Sequence, residues 1–202
     1  DNLSSHLIIR ASKTIANYLL PKLISEFTHT HKNIQINLKI ATTKAILSRL
    51  LTFNIDVALI EANCFSDKVH TYPWKKDELV IIASPKYPLS KKKKLTLSDI
   101  ANARWLLRKQ SSSIREKLEE KIGGKIRPFL ELDDTDALKQ ATQAGLGISC
   151  LSRFVVEDSL KNNTLVELKT PFLTLSREFY ILIHKEKYQS TVISEFLKKA
   201  NT

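Results

Sequence analysis

Methionine is absent from the chain, cysteine occurs twice and glycine four times in 202 residues, and acidic side chains are outnumbered, 21 Asp+Glu against 32 Lys+Arg. Four glycines exclude a collagen-like repeat. Cys64 and Cys150, far apart and without a CxxC spacing, exclude a disulfide scaffold and read as structural thiols. No apolar run approaches the roughly 18 to 20 residues that span a bilayer, and Asp1-Asn2-Leu3-Ser4-Ser5 has neither the basic nor the apolar region of a secretory leader. The missing initiator methionine is expected of a piece of a longer protein.

Motifs of catalysis are lacking too. There is no GxGxxG, GxxxxGK[ST] or GxSxG. The histidines His6, His29, His31, His70 and His184 are scattered, and only His29 and His31 come close. Positions two apart on a helix face different ways, so that pair reads as surface residues. No metal, cofactor or enzymatic activity is expected.

What is present is a 43% apolar composition, enough for a core, and a net charge of +11 that biases the surface toward anions. The run Lys91-Lys92-Lys93-Lys94 reads as a solvated loop. Leu7–Ala11 is a short continuous apolar segment, as in a strand buried on both faces. From Thr14 the residues Ile15, Leu19, Leu20, Leu23, Ile24 and Phe27 have helical spacing, with Ser12 or Thr14 as cap and Pro21 as a kink or restart. Ile34, Ile36, Leu38 and Ile40 alternate as in an edge strand. A helix capped at Thr42-Thr43 follows, then a buried strand at 56–60. This β-α-β-α-β order predicts a parallel sheet.

A further strand at 79–83 runs into Ser84-Pro85-Lys86-Tyr87-Pro88, which reads as a crossing into a second α/β series. There Arg104–Arg108 predicts a strand and Ser111-Ser112-Ser113 a helix cap, with Gly123-Gly124 as the stop. Phe129–Leu132 is the next strand, Asp134-Thr135-Asp136 the next cap and Gly145 the next terminator. Strands at 148–151, 165–168 and 179–183 and a helix carrying Val192, Ile193, Phe196 and Leu197 complete the chain. Two such units make a bilobed protein with a cleft, whose binding edges are the strand C-termini and the helix starts that follow. On those edges lie Ser12, Thr14, Thr42 and Thr43 in the first lobe and Ser111, Ser112, Ser113 and Thr135 in the second. Arg108, at the end of its strand, adds a cation. Hydroxyls, unpaired helix amides and a guanidinium suit a small anion bound without chemistry.

Ala11-Ser12-Lys13-Thr14-Ile15-Ala16-Asn17-Tyr18-Leu19-Leu20-Pro21, then Asp56-Val57-Ala58-Leu59-Ile60-Glu61, then Trp74 with Asp77-Glu78-Leu79-Val80-Ile81-Ile82-Ala83, resemble the effector-binding domain of LysR-type transcriptional regulators. The likeness continues through Trp105–Arg108, Arg115, Ala144-Gly145-Leu146-Gly147-Ile148 and Leu151-Ser152. It implies two Rossmann-like lobes with a central cleft, in the type 2 manner of periplasmic binding proteins. Lobe I is then 1–84 plus about 184–202, and lobe II about 85–183. It also implies a winged helix-turn-helix domain upstream that binds DNA, a homodimer or homotetramer, cytoplasmic location without membrane contact, and a small, often anionic effector in the cleft. In the branch that regulates sulfur or carbon assimilation, hydroxyls matching Ser12, Thr14 and Thr42 contact that effector. The family's second-lobe turn is usually Gly-Ser-Gly-Thr-Arg, whereas here it is Ser111-Ser112-Ser113-Ile114-Arg115. A periplasmic-type solute-binding protein would share the architecture, and an enzyme on the same scaffold would need an acid, base or nucleophile that the sequence does not supply.

Overall fold

The computed structural model describes residues 5–62 and 66–202. Cys64 therefore lies outside the described residues. The chain folds as two compact units, one formed by residues up to Lys76 with Arg177–Thr202 and the other by Asp77–Ser176. It passes between them twice, each time within a strand.

In the first unit, β1 (Ser5–Ala11) lies between β2 (Ile34–Ile40) and β3 (Val57–Ile60), parallel to both. Parallel neighbours need crossover connections. Between β1 and β2 these are α1 (Lys13–Tyr18) and α2 (Leu20–Thr30), and between β2 and β3 it is α3 (Thr43–Leu51). Pro21 does restart the helix: α1 ends before Leu19, and the proline occupies the first turn of α2, where its missing N–H costs nothing. Leu7, Ile9, Ala11, Val57 and Leu59 are fully buried, while β2 is the half-exposed edge that its alternation predicts. The three strands of the β-α-β-α-β order are parallel as expected, and β9 (Ser176–His184) joins them antiparallel to β3 through Ala58↔Leu182. Apolar alternation reports which residues are buried but not strand direction.

The last helix, α8 (Thr191–Ala200), packs Phe196 edge-on against Phe27 of α2. Its final carbonyl, on Ala200, accepts a hydrogen bond from Trp74 Nε1 at 2.8 Å. His31 stacks on Phe27 and contacts the Glu195 carboxylate, while His29 is exposed, so the two histidines do not converge. Trp74 belongs to β4 (Val69–Ala83), a 15-residue strand of which the sequence reading recognised only the apolar end. The passages between units fall at Lys76–Asp77 and Ser176–Arg177, earlier than the 84/85 and 183/184 expected. Continuous strands carry them, so no proline or glycine marks the place.

In the second unit the rest of β4 pairs antiparallel with β7 (Ser149–Ser152) and with β8 (Val166–Glu167). Short parallel strands β5 (Leu106–Leu107) and β6 (Leu130–Glu131) precede α5 (Ser113–Ile122) and α6 (Thr135–Gln143). Two further helices, α4 (Leu97–Ala101) and α7 (Arg153–Lys161), were not anticipated. Trp105 is the largest buried side chain, and its indole N–H donates to the Ile100 carbonyl at 2.8 Å. Cys150 is buried in the same core. Among the described residues no helix is long and apolar enough to cross a membrane.

Gly147 sits beside the bridge between Trp105 and Ile148, where a Cβ would stand 2.3 Å from the Arg104 carbonyl oxygen. Gly147→Ala is expected to destabilise the chain by about 1–3 kcal/mol through overpacking. Gly124→Ala, in open space, is expected to change stability by less than about 0.5 kcal/mol. Urea unfolding of the two variants checks both.

Candidate functional site

The parallel register positions the first unit's hydroxyls. Ala11 pairs with Ile40 and with Leu59, so β1, β2 and β3 end at one edge of the sheet. Backbone bonds from Ala41 N to Ala11 O and from Ser12 N to Leu59 O, both 3.1 Å, extend this register past the strand ends. Ser12 and Thr14 of one loop–helix junction are thereby brought beside Thr42 and Thr43 of the next.

Their hydroxyls are not equivalent. Thr42 is exposed and caps α3, its Oγ1 accepting from Ala45 N at 3.2 Å. Thr43 is half-buried in the first turn of α3. Ser12 stands at the N-cap of α1 but makes no capping bond. It is 5% exposed, and its Oγ has no hydrogen-bond partner among the described residues. Thr14 is 6% exposed.

The second unit repeats the construction. Leu107 pairs with Glu131, and Leu132 N donates to Leu107 O at 2.9 Å, so the loops that follow β5 and β6 leave the sheet side by side. The first carries Arg108 and Ser111–Ser113, the second Asp134 and Thr135. Ser112, not Ser111, is the N-cap of α5. It is buried and, like Ser12, makes no side-chain cap bond. Ser111 is exposed, and Ser113 is half-buried in the first helical turn. Asp134 is the cap of α6, accepting from Ala137 N at 3.1 Å, which leaves Thr135 at the first helical position. A carboxylate there bonds its own helix amides.

The loop after β5 is tied to α5 by an ionic network that the sequence reading did not foresee. Arg115, 5% exposed, donates to the Arg108 carbonyl at 2.8 Å and to Glu131 Oε2 at 3.0 Å. Glu119, one turn on and equally buried, accepts from Ile126 N at 2.7 Å and from Gln110 Nε2 at 2.6 Å. Burial alone pushes the Glu119 carboxyl up. The Ile126 and Gln110 bonds, with the charges of Arg115 and Lys125, outweigh it and hold the group below its ordinary value.

Four buried polar side-chain atoms lack a hydrogen bond among the described residues. Arg115 Nε and Arg177 Nη2 each lie 3.4 Å from a carboxylate. The other two are Ser12 Oγ and Arg108 Nε, one in each unit and both among the residues singled out by sequence. Arg108, Ser112 and Arg115 also border a cavity of about 10 Å³, the room of one water. No group of three or more His, Cys, Asp or Glu among the described residues could hold a metal ion.

Two α/β units built this way, with strands passing between them, have the type 2 periplasmic-binding-protein-like fold. The family model "LysR substrate binding domain" matches residues 1–200, and the chain belongs to that family. It is 36% identical over 192 residues to the uncharacterised HTH-type transcriptional regulator YeiE of Escherichia coli strain K12, covering 94% of this chain and 65% of that protein's length. The cofactor-binding domain of the Cbl transcriptional regulator superposes with a TM-score of 0.88 at 21% identity, over 100% of this chain and 90% of that one. The Synechocystis PCC6803 CcmR regulatory domain, solved in complex with 2-PG, gives 0.84 at 24%, over 97% and 95%.

Glu119 generates a pH dependence. A carboxyl whose folded value lies below its unfolded one contributes stability above about pH 4.5, and that contribution is lost as pH falls through the folded value. Glu119→Gln is expected to cost about 1.5–3 kcal/mol at neutral pH, the worth of its charged hydrogen bonds, and to flatten the loss of stability below about pH 4.5. Denaturant unfolding at a series of pH values measures both.

Proposed function

We propose that this chain is the effector-sensing regulatory domain of a LysR-type DNA-binding transcription regulator, and that it binds one small anionic metabolite. The observation that carries this reading is the pair of buried, unpartnered polar atoms, Ser12 Oγ and Arg108 Nε, at the strand ends of the two units. A buried donor without a partner costs about 1–3 kcal/mol, and a bound anion removes that cost. Thr14, Thr42 and Thr43 in the first unit and Ser111, Ser112, Ser113 and Thr135 in the second supply further hydroxyls. The binding involves no catalysis, metal or cofactor, in keeping with relatives named as transcriptional regulators. DNA binding resides in a helix-turn-helix domain outside this chain, and the protein acts in the cytoplasm.

Calorimetric titration with sulfate, phosphate and a panel of small carboxylates tests the reading. Ser12→Ala, Thr14→Val and Arg108→Gln are each expected to weaken the bound anion tenfold to a hundredfold, since a hydrogen bond to a charged group contributes roughly 1.5–3 kcal/mol. Ser12→Ala deletes a hydroxyl with no internal partner, so it is expected to leave the thermal midpoint unchanged or raised. A ligand whose affinity all three variants preserve would place the site elsewhere.

The domain is also expected to self-associate, the first-lobe helix of one copy pairing with the second lobe of another through the apolar faces of the first and later helices. Light scattering that finds only monomer at tens of micromolar would contradict this.

A further inference from the structure

The excess of positive charge is not spread evenly over the second unit. The segment Ser84–Leu95, which leaves β4 and includes a single 3-10 turn at Pro88–Lys91, forms a wall of two neighbouring surface depressions. One, of about 680 Å³, is bordered by Lys86 and Arg104 and by no carboxylate. The other, of about 370 Å³, is bordered by Lys91, Lys92, Lys93 and Lys169. Its one acid, Glu167, is already bridged to Arg153 at 2.8 Å, and Lys92 to Asp99 at 2.8 Å. Lys86, Lys91, Lys93 and Lys169 are exposed and have no ion pair among the described residues.

Four cations on flexible stems are poorly arranged to define one small anion. They suit a partner whose charge repeats along its length. From this we infer that the face of the second unit formed by Ser84–Leu95 and Lys169 docks the sugar-phosphate backbone of duplex DNA, without reading its sequence. The choice of DNA over other polyanions rests on the reading above: in such a regulator the chain is tethered to a domain already on DNA, so even weak contacts operate at high effective concentration. The contact adds affinity and salt sensitivity to binding whose specificity lies elsewhere.

The test is fluorescence anisotropy of a short random-sequence duplex titrated with the chain at increasing KCl. The quadruple variant Lys86→Gln, Lys91→Gln, Lys93→Gln, Lys169→Gln is compared with an equal-charge control in the first unit, Lys22→Gln, Lys32→Gln, Lys185→Gln, Lys198→Gln, all exposed positions. Each phosphate contact contributes about 0.9 to the slope of log affinity against log salt, so the first variant should lose roughly three to four units of slope and at least tenfold in affinity at low salt. The control should stay within about one unit of the wild type. Equal losses in both variants would overturn the inference in favour of net charge alone. So would wild-type protein that fails to bind the duplex at the lowest salt. Displacement of the duplex by a poly-glutamate peptide as efficiently as by unlabelled DNA would assign the face to an acidic polypeptide instead. The sulfate and carboxylate titrations, run on the same variants, report the effector reading separately and are expected to be unchanged.

Discussion

Parallel pairing of β1 with β2 and β3 is the constraint on which the rest of the structure depends. Parallel strands cannot be joined by a tight turn, so the chain must leave each strand's C-terminus, climb a helix and return. That necessity places the starts of α1 and α3 directly after a strand end, along one sheet edge. In-register pairs such as Ala11↔Ile40 then bring Ser12 and Thr42 together although thirty positions separate them. The short pair β5 and β6 imposes the same order on the second unit with only two residues each.

Because those strands are short, the second unit needs another device to hold its loop, and the buried Arg115–Glu119 pair supplies it. The guanidinium reaches the Arg108 carbonyl, and the carboxylate holds Gln110 and the Ile126 amide. Two charges withdrawn from water are costly, and their mutual attraction offsets the cost only when other lone pairs and protons are also satisfied. Here most are. The serine turn is thus fixed from behind, without a capping bond from Ser112.

The sequence made the helix caps, the Pro21 restart, the Gly123 stop and the alternation of β2 readable, because each is a local signal of a few residues. The hydroxyls on the strand ends were legible for the same reason. Direction of β7 and β9 was not, since pairing sense leaves no trace in apolar alternation. Helix α4 spans five residues, too few to show a period, although Thr96 and Asp99 form a capping box that could have announced it. Helix α7 begins on the residue after β7, so the two periodicities merge. The polar first half of β4, with Pro73 and two lysines, resembles a loop and becomes a strand only through its tertiary partners. Arg115 stood out by position, but its partners Arg108, Ile126 and Glu131 come from three separate segments.

Ser12 stands at the start of α1 without the hydrogen-bonded cap that holds α3 and α6, and Ser112 at the start of α5 likewise makes no side-chain cap bond. At these two helix starts the architecture is therefore maintained by backbone register and by the ionic network rather than by the serine hydroxyls. Substitution of Ser12 or Ser112 removes no capping bond, so the side-chain chemistry at these two positions can change by single steps while the scaffold persists. A lineage built on this plan can vary the chemistry of its sheet edge far faster than its fold.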